Sequence, residues 1–525
     1  MTSEPLAPVA TRWAPNGMVC SVDALASEAG IALLRAGGSA ADAAVGTSAV
    51  LAVTSQHMCG MGGDLFALVH DRAGPPTVLN ASGRAGSGAD ADRLRAEGHT
   101  TMPMRGDIRA VPVPGCVDGW VALHERYGRL DLADVLAPAA ALAEDGFPAS
   151  PTLAGSVAAI AGLAGSDDYP ERLRSGDLVR RPGVARALRA IGAGGRAAWY
   201  EGEFGENLLA LGGGEHTAED LARVQADWVE PLGVRVWGVD AWTVPPNSQG
   251  YLTLAGAWIA EGLDLGDPDD PAWAHLLVEA ARAAGHDRPA ALSEQADGAA
   301  LVAPDRLGPR RAAIDPARAA VHGAESYRGG GTIHLAVVDR DRMGVSLIQS
   351  NAWGWGAHLV VPGVRVFLQD RGLGFSLEPG HPAEYGPGRR PPSTLAPALL
   401  TDPAGDLHAV LGTMGGDSQP QILLQLLARL LPGGQSPGRA VTAGRFALQA
   451  GDSGFATWTG GAATVLVEGH APEAWTEGLA ARGHLVERTA PFDRAFGHAH
   501  VILNAGDRLA GATDPRPRTG AAAVW

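Results

Sequence analysis

The chain has 525 residues, with 41 basic and 57 acidic side chains and a formal net charge of −16, so nonspecific attachment to a phosphate backbone is disfavoured. Hydrophobic residues make up 46% and charged residues 19%, which supplies a large core, and 72 glycines scattered without a period exclude collagen. Every basic residue is an arginine, and the absence of lysine excludes a Schiff-base lysine, a pyridoxal-phosphate lysine and a P-loop lysine.

The opening MTSEPLAPVATRWAPNG lacks the apolar stretch of a secretory signal, and no apolar run reaches about 18 uninterrupted residues. A soluble cytoplasmic protein is expected, without membrane or nucleic-acid partners. Gly17–Ser21 reads as a strand. A helix is predicted from Ala24 to Arg35, stopped by Gly37-Gly38. Ser39-Ala-Ala-Asp42 is a capping box for a second helix running to about Val53. Ser55–Gly63 (SQHMCGMGG) is too glycine-rich for helix or strand. Leu65–His70 and Thr77–Asn80 flank DRAGPP and read as a hairpin.

From about residue 115 to 300 the patterns are mainly helical, as in Asp131–Asp145 and Trp273–Ala284. Pro304–Gly331 is polar and rich in Arg and Pro, and is predicted to be a loop. Thr332–Asp339 is apolar and β-branched without alternation, as in a strand buried on both faces, and turns at Arg340–Met343 into Gly344–Asn351. Pairing Asp339 with Gly344 would set Thr332 opposite Asn351 and Ile333 opposite Ser350. Leu407–Leu411 is a short strand, followed by Gly412-Thr-Met-Gly-Gly416 and a helix over Ile422–Leu431 with Pro420 in its first turn. Thr464–Glu468 and His500–Asn504 are further extended runs. Two-sided strands combined with helices suggest a layered α/β sandwich.

Chemistry has a few places to reside. A threonine after three glycines at the mouth of a buried strand is either an ordinary turn or an amino-terminal nucleophile. In the second case the chain is cut before Thr332, and its freed α-amine becomes the base for its own hydroxyl. Gly415-Gly416, between strand and helix, is either a tight turn or a pair of close-approach N–H donors for an oxyanion. Arg389-Arg-Pro-Pro-Ser-Thr394 offers adjacent hydroxyls that either cap a turn or position a substrate. His498-Ala-His500 and His57-Met-Cys59 lack a third ligand at recognisable spacing, and Cys20, Cys59 and Cys116 form no CxxC pair, so no metal site is expected. No GxGxxG opens a helix after a strand, so no dinucleotide is expected, and no cofactor is called for.

Taken together, these segments resemble the γ-glutamyltransferase family of N-terminal-nucleophile hydrolases. The resemblance is carried by GMVCSVDALASEAGIALLRAGGSAADAAVGTSAVLAVT, GMGGDLFALVHD, VPVPGCVDGW, PPNSQG, Thr332-Ile-His334 with Val337-Val-Asp339, RRPPSTLAP, GTMGGDSQPQ and LAGATDPR, in that order along the chain. It implies a four-layer αββα sandwich made as one precursor. Cleavage between Gly331 and Thr332 would give a large subunit, 1–331, and a small one, 332–525, forming one globular unit. A homodimer of that pair is compatible with the reading. It further implies Thr332 as nucleophile, Ser350 as an activating hydroxyl, Gly415 and Gly416 as the oxyanion hole, and Asn351, Ser393 and Thr394 as substrate contacts.

Two departures bear on the substrate. The family arginine that grips an α-carboxylate is replaced by Ser82 in Asn80-Ala-Ser-Gly-Arg84, and the aspartate that holds an α-ammonium is replaced by Gly374 in Gln369-Asp-Arg-Gly-Leu-Gly-Phe-Ser376. Arg84 and Arg371 are the cations left to meet a substrate. The variant motifs look more like a divergent branch that includes oxamate amidohydrolase-like enzymes and relatives in actinobacterial specialised metabolism. The expectation is an amide hydrolase for a small carboxylated acyl or γ-glutamyl-like group. The alternatives are hydrolytic C–C cleavage beside a keto or oxalyl group, and a non-catalytic binding relative.

Overall fold

A hairpin of Gly331–Val338 and Gly344–Ala352 lies in the middle of a seven-stranded antiparallel sheet. The strand order is Ala521–Val524, Met18–Ser21, Gly331–Val338, Gly344–Ala352, Asp64–His70, Thr77–Ala81 and Asp227–Val229. A second seven-stranded sheet stacks on it, ordered Arg12–Ala14, Leu509–Thr513, Ala499–Asn504, Leu407–Thr413, Ala398–Thr401, Val239–Thr243 and Leu232–Val236. These relations come from a computed structural model, which describes residues 9–71, 74–323, 330–450 and 462–525.

Three apolar layers hold the stack together. Phe66, Leu68, Ala336, Ile348, Leu399, Val410 and Ile502 fill the space between the two sheets. On the outer face of the first sheet, Leu65, Leu335 and Leu347 meet the helices Ala24–Arg35, Ala40–Thr54, Cys116–Tyr127 and Leu132–Asp145. On the outer face of the second, Leu400, Leu411 and Val501 meet Tyr251–Glu261, Pro271–Gly285 and Gln419–Leu430. The result is the expected αββα sandwich. Because the central strands bury both faces, Thr332–Val338 is buried at every position, which explains why its apolar run does not alternate.

Local signals set the helix ends. Ser39 Oγ accepts from the Asp42 N–H at 3.2 Å, and Asp42 Oδ2 accepts from the Ser39 N–H at 2.9 Å, closing the capping box. Asp339, at the end of the Gly331–Val338 strand, accepts the Ala40 N–H at 3.0 Å, so hairpin and helix share an anchor.

Three sequence expectations need correction. The segment predicted as a loop from Pro304 begins with a helix, Pro304–Ala312. It buries only Leu307, and its arginines hold it in place: Arg306 and Arg310 bond Asp287, and Arg311 lies 3.6 Å from the Trp258 ring centroid. Residues 324–329 of the same stretch lie outside the described residues. The region read as mainly helical also contains the edge hairpin Leu232–Val236 and Val239–Thr243, turned through Trp237 and Gly238 at positive φ. Finally, the central hairpin pairs Val338 with Gly344 and Ile333 with Gln349, one residue away from the expected register, and a bulge then restores Gly331 opposite Ala352.

Ile502 is fully buried between the sheets, whereas Val321 is 96% exposed. Ile502→Ala should lower unfolding free energy by about 2–5 kcal/mol, and Val321→Ala by less than about 0.5 kcal/mol; urea titration of both variants compares them directly.

Candidate active site

The bulge decides what surrounds Thr332. Gly331 pairs with Ala352 and Ile333 with Gln349, so both Ser350 and Asn351 stand opposite the single residue Thr332. Thr332 is 1% exposed. Its Oγ1 lies 3.1 Å from Ser350 Oγ. Ser350 donates its only hydroxyl proton to the Gly331 carbonyl at 2.6 Å and accepts the Ala352 N–H at 2.7 Å. With that proton committed, Thr332 is the donor in the Thr332–Ser350 bond. Asn351 is fixed by its own backbone and side chain: its N–H reaches the Met58 carbonyl at 3.1 Å and its Nδ2 the Gln56 carbonyl at 2.9 Å. Both acceptors belong to the glycine-rich loop after the second helix. A Cβ on Gly63 would fall 2.1 Å from the Ser350 carbonyl oxygen, so this position requires glycine.

A polar chain continues from the bulge to the second sheet. Asp64 pairs across the strands with Ser350 and accepts from Arg371 Nε at 2.7 Å, both side chains being wholly buried. Burial raises the Asp64 carboxyl, and the Arg371 guanidinium opposes that shift. Arg371 Nη1 donates to Thr394 Oγ1 at 3.1 Å. Gln249 Nε2 donates to the Thr394 carbonyl at 2.8 Å and to the Gly416 carbonyl at 3.0 Å. Ser393 Oγ accepts the Leu395 N–H at 3.3 Å, while its own N–H bonds the Asn247 carbonyl at 2.8 Å. Hydrogen bonds thus join Asp64, Arg371, Thr394 and Gly416, strand pairing sets Asp64 beside Ser350 and its partner Thr332, and Asn351 and Ser393 adjoin the network in sequence.

Gly415 and Gly416 have φ of 141° and 56°, which favour glycine, and a Cβ on Gly415 would lie 2.8 Å from Ser418 Oγ. Ser418 bonds the Gly415 carbonyl through its N–H at 3.1 Å and its hydroxyl at 2.7 Å, turning the peptide into the helix Gln419–Leu430. Among the described residues, no acceptor meets the N–H of either glycine. Two donors at the head of a helix-entry turn suit a developing oxyanion.

Arg84 lies in an adjoining cluster. It forms an ion pair with Asp227, and Arg390 reaches the same carboxylate at 2.7 Å. Arg390 also donates to Ser82 Oγ at 3.1 Å, so its guanidinium fills the space beside the serine that stands for the family arginine. At the other departure, a Cβ on Gly374 would lie 2.3 Å from the Pro392 carbonyl oxygen, leaving no room for a side chain. Asp370, whose N–H bonds the Asn351 carbonyl at 3.1 Å, is pushed up to about 7, chiefly by burial. Sequence reading assigned no role to Asp64, Gln249, Asp370 or Arg390. The first two sit inside GMGGDLF and PPNSQG, and the other two directly before Arg371 and within RRPPST.

An αββα sandwich with a hydroxyl residue at the mouth of a central strand defines an N-terminal-nucleophile hydrolase, and this protein is an enzyme of that class. Residues 26–524 match the Gamma-glutamyltranspeptidase family, and the chain belongs to it. Oxamate amidohydrolase proenzyme of Klebsiella pneumoniae subsp. pneumoniae is 34% identical, over 97% of this chain and 98% of its own. The glutathione hydrolase-like YwrD proenzyme of Bacillus subtilis is 33% identical, over 95% and 97% respectively. The crystal structure of cephalosporin acylase from Bacillus halodurans superposes with a TM-score of 0.90 at 32% identity, covering 100% of this chain and 99% of that one. No helix among the described residues is long and apolar enough to cross a membrane.

The Asp370 shift has a testable sign. A carboxyl whose folded value lies above its ordinary 3.8 binds more protons folded than unfolded between those values. Its contribution to stability is present below about pH 4 and is lost as pH rises through about 7. Asp370→Asn removes that loss. The melting temperature of the variant relative to wild type should climb steadily from pH 5 to pH 8; a constant difference would show that Asp370 does not titrate there.

Proposed function

We propose that this protein is a self-processed threonine amidohydrolase that cleaves the amide of a small carboxylated acyl group, with Thr332 as its nucleophile. Family membership supports amide-bond hydrolysis by an autoprocessed enzyme. The observation that carries the choice of Thr332 is the hydrogen bond from Ser350 to the Gly331 carbonyl, the carbonyl that Thr332 must attack to cut the chain. Attack by Oγ1 on that carbon breaks the Gly331–Thr332 amide and leaves an ester. That step frees the Thr332 α-amine, and water then hydrolyses the ester to the Gly331 carboxylate and the Thr332 hydroxyl, separating 1–331 from 332–525. In turnover the amine takes the proton from Oγ1, and the N–H groups of Gly415 and Gly416 hold the oxyanion. The proton then passes to the leaving amine, and water hydrolyses the acyl ester.

The acyl contacts fall to Asn351, Ser393, Thr394 and Arg371, with Arg84 one cluster away. An α-ammonium is poorly served. Gly374 has no room for the family aspartate, and Asp370 is only part-ionised at neutral pH. A des-amino acyl group fits better than γ-glutamyl, and oxamate is the simplest member of that class.

Purified protein should run as two fragments, the smaller beginning Thr-Ile-His-Leu, and Thr332→Ala should remain one chain. Full activity in an uncut wild type would overturn the mechanism. Gly416→Val places a β-branched residue at a φ that favours glycine, so it should lower the melting temperature and, in the protein that stays folded, cost roughly 10²–10³-fold in kcat, measured on the best substrate of a panel of oxamate, glutaryl and γ-glutamyl anilides and 2-oxo diacids. Within that panel, kcat/KM for the glutaryl anilide should exceed that for the γ-glutamyl anilide. A tenfold preference the other way, about 1.4 kcal/mol, would mean that the ammonium is recognised after all. Turnover of the 2-oxo diacids alone would replace amide with C–C cleavage.

A further inference from the structure

Away from this network, His275, Glu279 and His484 bring two imidazoles and a carboxylate together in the interior. All three residues are buried, and their donor atoms lie within 4.8 Å of one another. His275 and Glu279 are four residues apart on the helix Pro271–Gly285, so both project from one face, and His484 approaches from the turn after the helix Glu473–Ala481. His275 Nδ1 lies 2.8 Å from His484 Nε2, and His484 Nε2 lies 3.9 Å from Glu279 Oε1. Four-coordinate zinc, with bonds of about 2.0–2.2 Å, places its donors about 3.3–3.5 Å apart. The shorter of these separations needs to open, and the longer to close, by about half an ångström.

The surroundings are built as a ligand's second shell is built. His275 Nε2 donates to the Asp315 carbonyl at 2.9 Å, which fixes the tautomer and leaves the Nδ1 lone pair facing the cluster. Glu279 Oε2 accepts the Ala320 N–H at 2.9 Å, which orients Oε1 toward the histidines. Arg282 Nη1 donates to Glu279 Oε1 at 2.9 Å and to the Ala320 carbonyl at 3.0 Å, so it retains a partner when a metal takes the carboxylate oxygen.

We propose that His275 Nδ1, Glu279 Oε1 and His484 Nε2 bind one zinc-type divalent cation. Binding breaks the hydrogen bond from His484 Nε2–H to His275 Nδ1. The proton moves to His484 Nδ1, the imidazole stays neutral, and both nitrogen lone pairs go to the metal. A water completes the tetrahedron. Arg482, two residues before His484, also holds this stretch: the Ala319 N–H bonds its carbonyl at 2.7 Å, and its Nε bonds the Pro316 carbonyl at 3.1 Å. If the chain is cut as proposed above, His275 and Glu279 fall in one fragment and His484 in the other, so the cation ties the two together. That consequence rests on the cleavage reading, whereas metal binding itself does not.

The test uses the full chain without an affinity tag, stripped with chelator and dialysed, in wild type and in uncut Thr332→Ala. Both should bind one Zn²⁺ per chain by elemental analysis, and Co²⁺ should give the visible absorption of a tetrahedral site. His275→Gln and His484→Gln should weaken Zn²⁺ binding about 100-fold or more, and His498→Gln should not. The absence of stoichiometric Zn²⁺ and of a tetrahedral Co²⁺ spectrum in wild type overturns the proposal, as does unchanged binding in both variants. Should those variants not fold, X-ray absorption at the zinc edge of the wild type decides: two imidazole ligands support the site, and any other ligand count refutes it. Metal binding in Thr332→Ala, with or without cleavage in wild type, keeps this result separate from the fate of the Thr332 mechanism.

Discussion

Regular antiparallel pairing sends consecutive side chains to opposite faces of a sheet, so a strand can ordinarily present only one of two neighbours to a given partner. The bulge between Gly331 and Ile333 breaks that rule at one place, setting both Ser350 and Asn351 against Thr332. The Ser350 hydroxyl can therefore hold the Gly331 carbonyl and accept from Thr332 at the same time. Asn351 keeps its amide on the glycine-rich loop and its carbonyl on Asp370. The hydroxyl pair, the carbonyl between them and the loop behind them all follow from one unpaired residue in an otherwise regular hairpin.

Holding such a group in a dry interior requires charges that stay in place. Asp64–Arg371, Arg288–Asp417 and the cluster of Arg516, Glu468, Asp514 and Arg445 are all buried. An isolated charge at these depths is costly, and removing one partner of a buried pair typically destabilises by about 3–5 kcal/mol. Arginine suits this work, since its planar fork bonds several acceptors at once and stays protonated. Arg371 spans Asp64 and Thr394, and Arg390 spans Asp227 and Ser82. A lysine would make a point contact with one of each pair. The lysine-free composition is thus matched to a site whose scaffold consists largely of bidentate cations.

Much of this was legible in the sequence. The capping box at Ser39, the helix stop at Gly37-Gly38 and the doubly buried hairpin after Gly331 are local patterns and form where the sequence places them, the hairpin one residue out of its expected register. The residues gathered around Thr332 were named from motif resemblance, and the structure joins most of them in one network. Spacing alone could not reveal the bulge, because one inserted residue leaves the apolar pattern of a two-sided strand unchanged. The helix Pro304–Ala312 was missed because its stability comes from arginine contacts to Asp287 and Trp258, far away in sequence, and not from an apolar stripe. The edge hairpin Leu232–Thr243 did carry an alternating signal, GVRVWGVDAWT, around a turn at Trp237-Gly238. His275, Glu279 and His484 were invisible for a different reason: two belong to one helix face, and the third is 205 residues away from Glu279 by numbering, 484 − 279.

The two departures from the family pattern share one physical form. At Ser82 and at Gly374 the missing clamp is replaced by the protein itself and not by empty space. The Arg390 guanidinium lies against the serine hydroxyl, and the Pro392 carbonyl occupies the position a Cβ would take at residue 374. Both intruders come from the single segment Arg389-Arg-Pro-Pro-Ser-Thr394, whose far end also supplies Ser393 and Thr394. One backbone path therefore sets the walls and the hydroxyls together. Room for side chains of the family clamp at residues 82 and 374 would require this segment to move, and with it Thr394, whose hydroxyl accepts from Arg371. Residues 82 and 374 are in that sense coupled, through this segment, to the buried ion pair opposite Ser350.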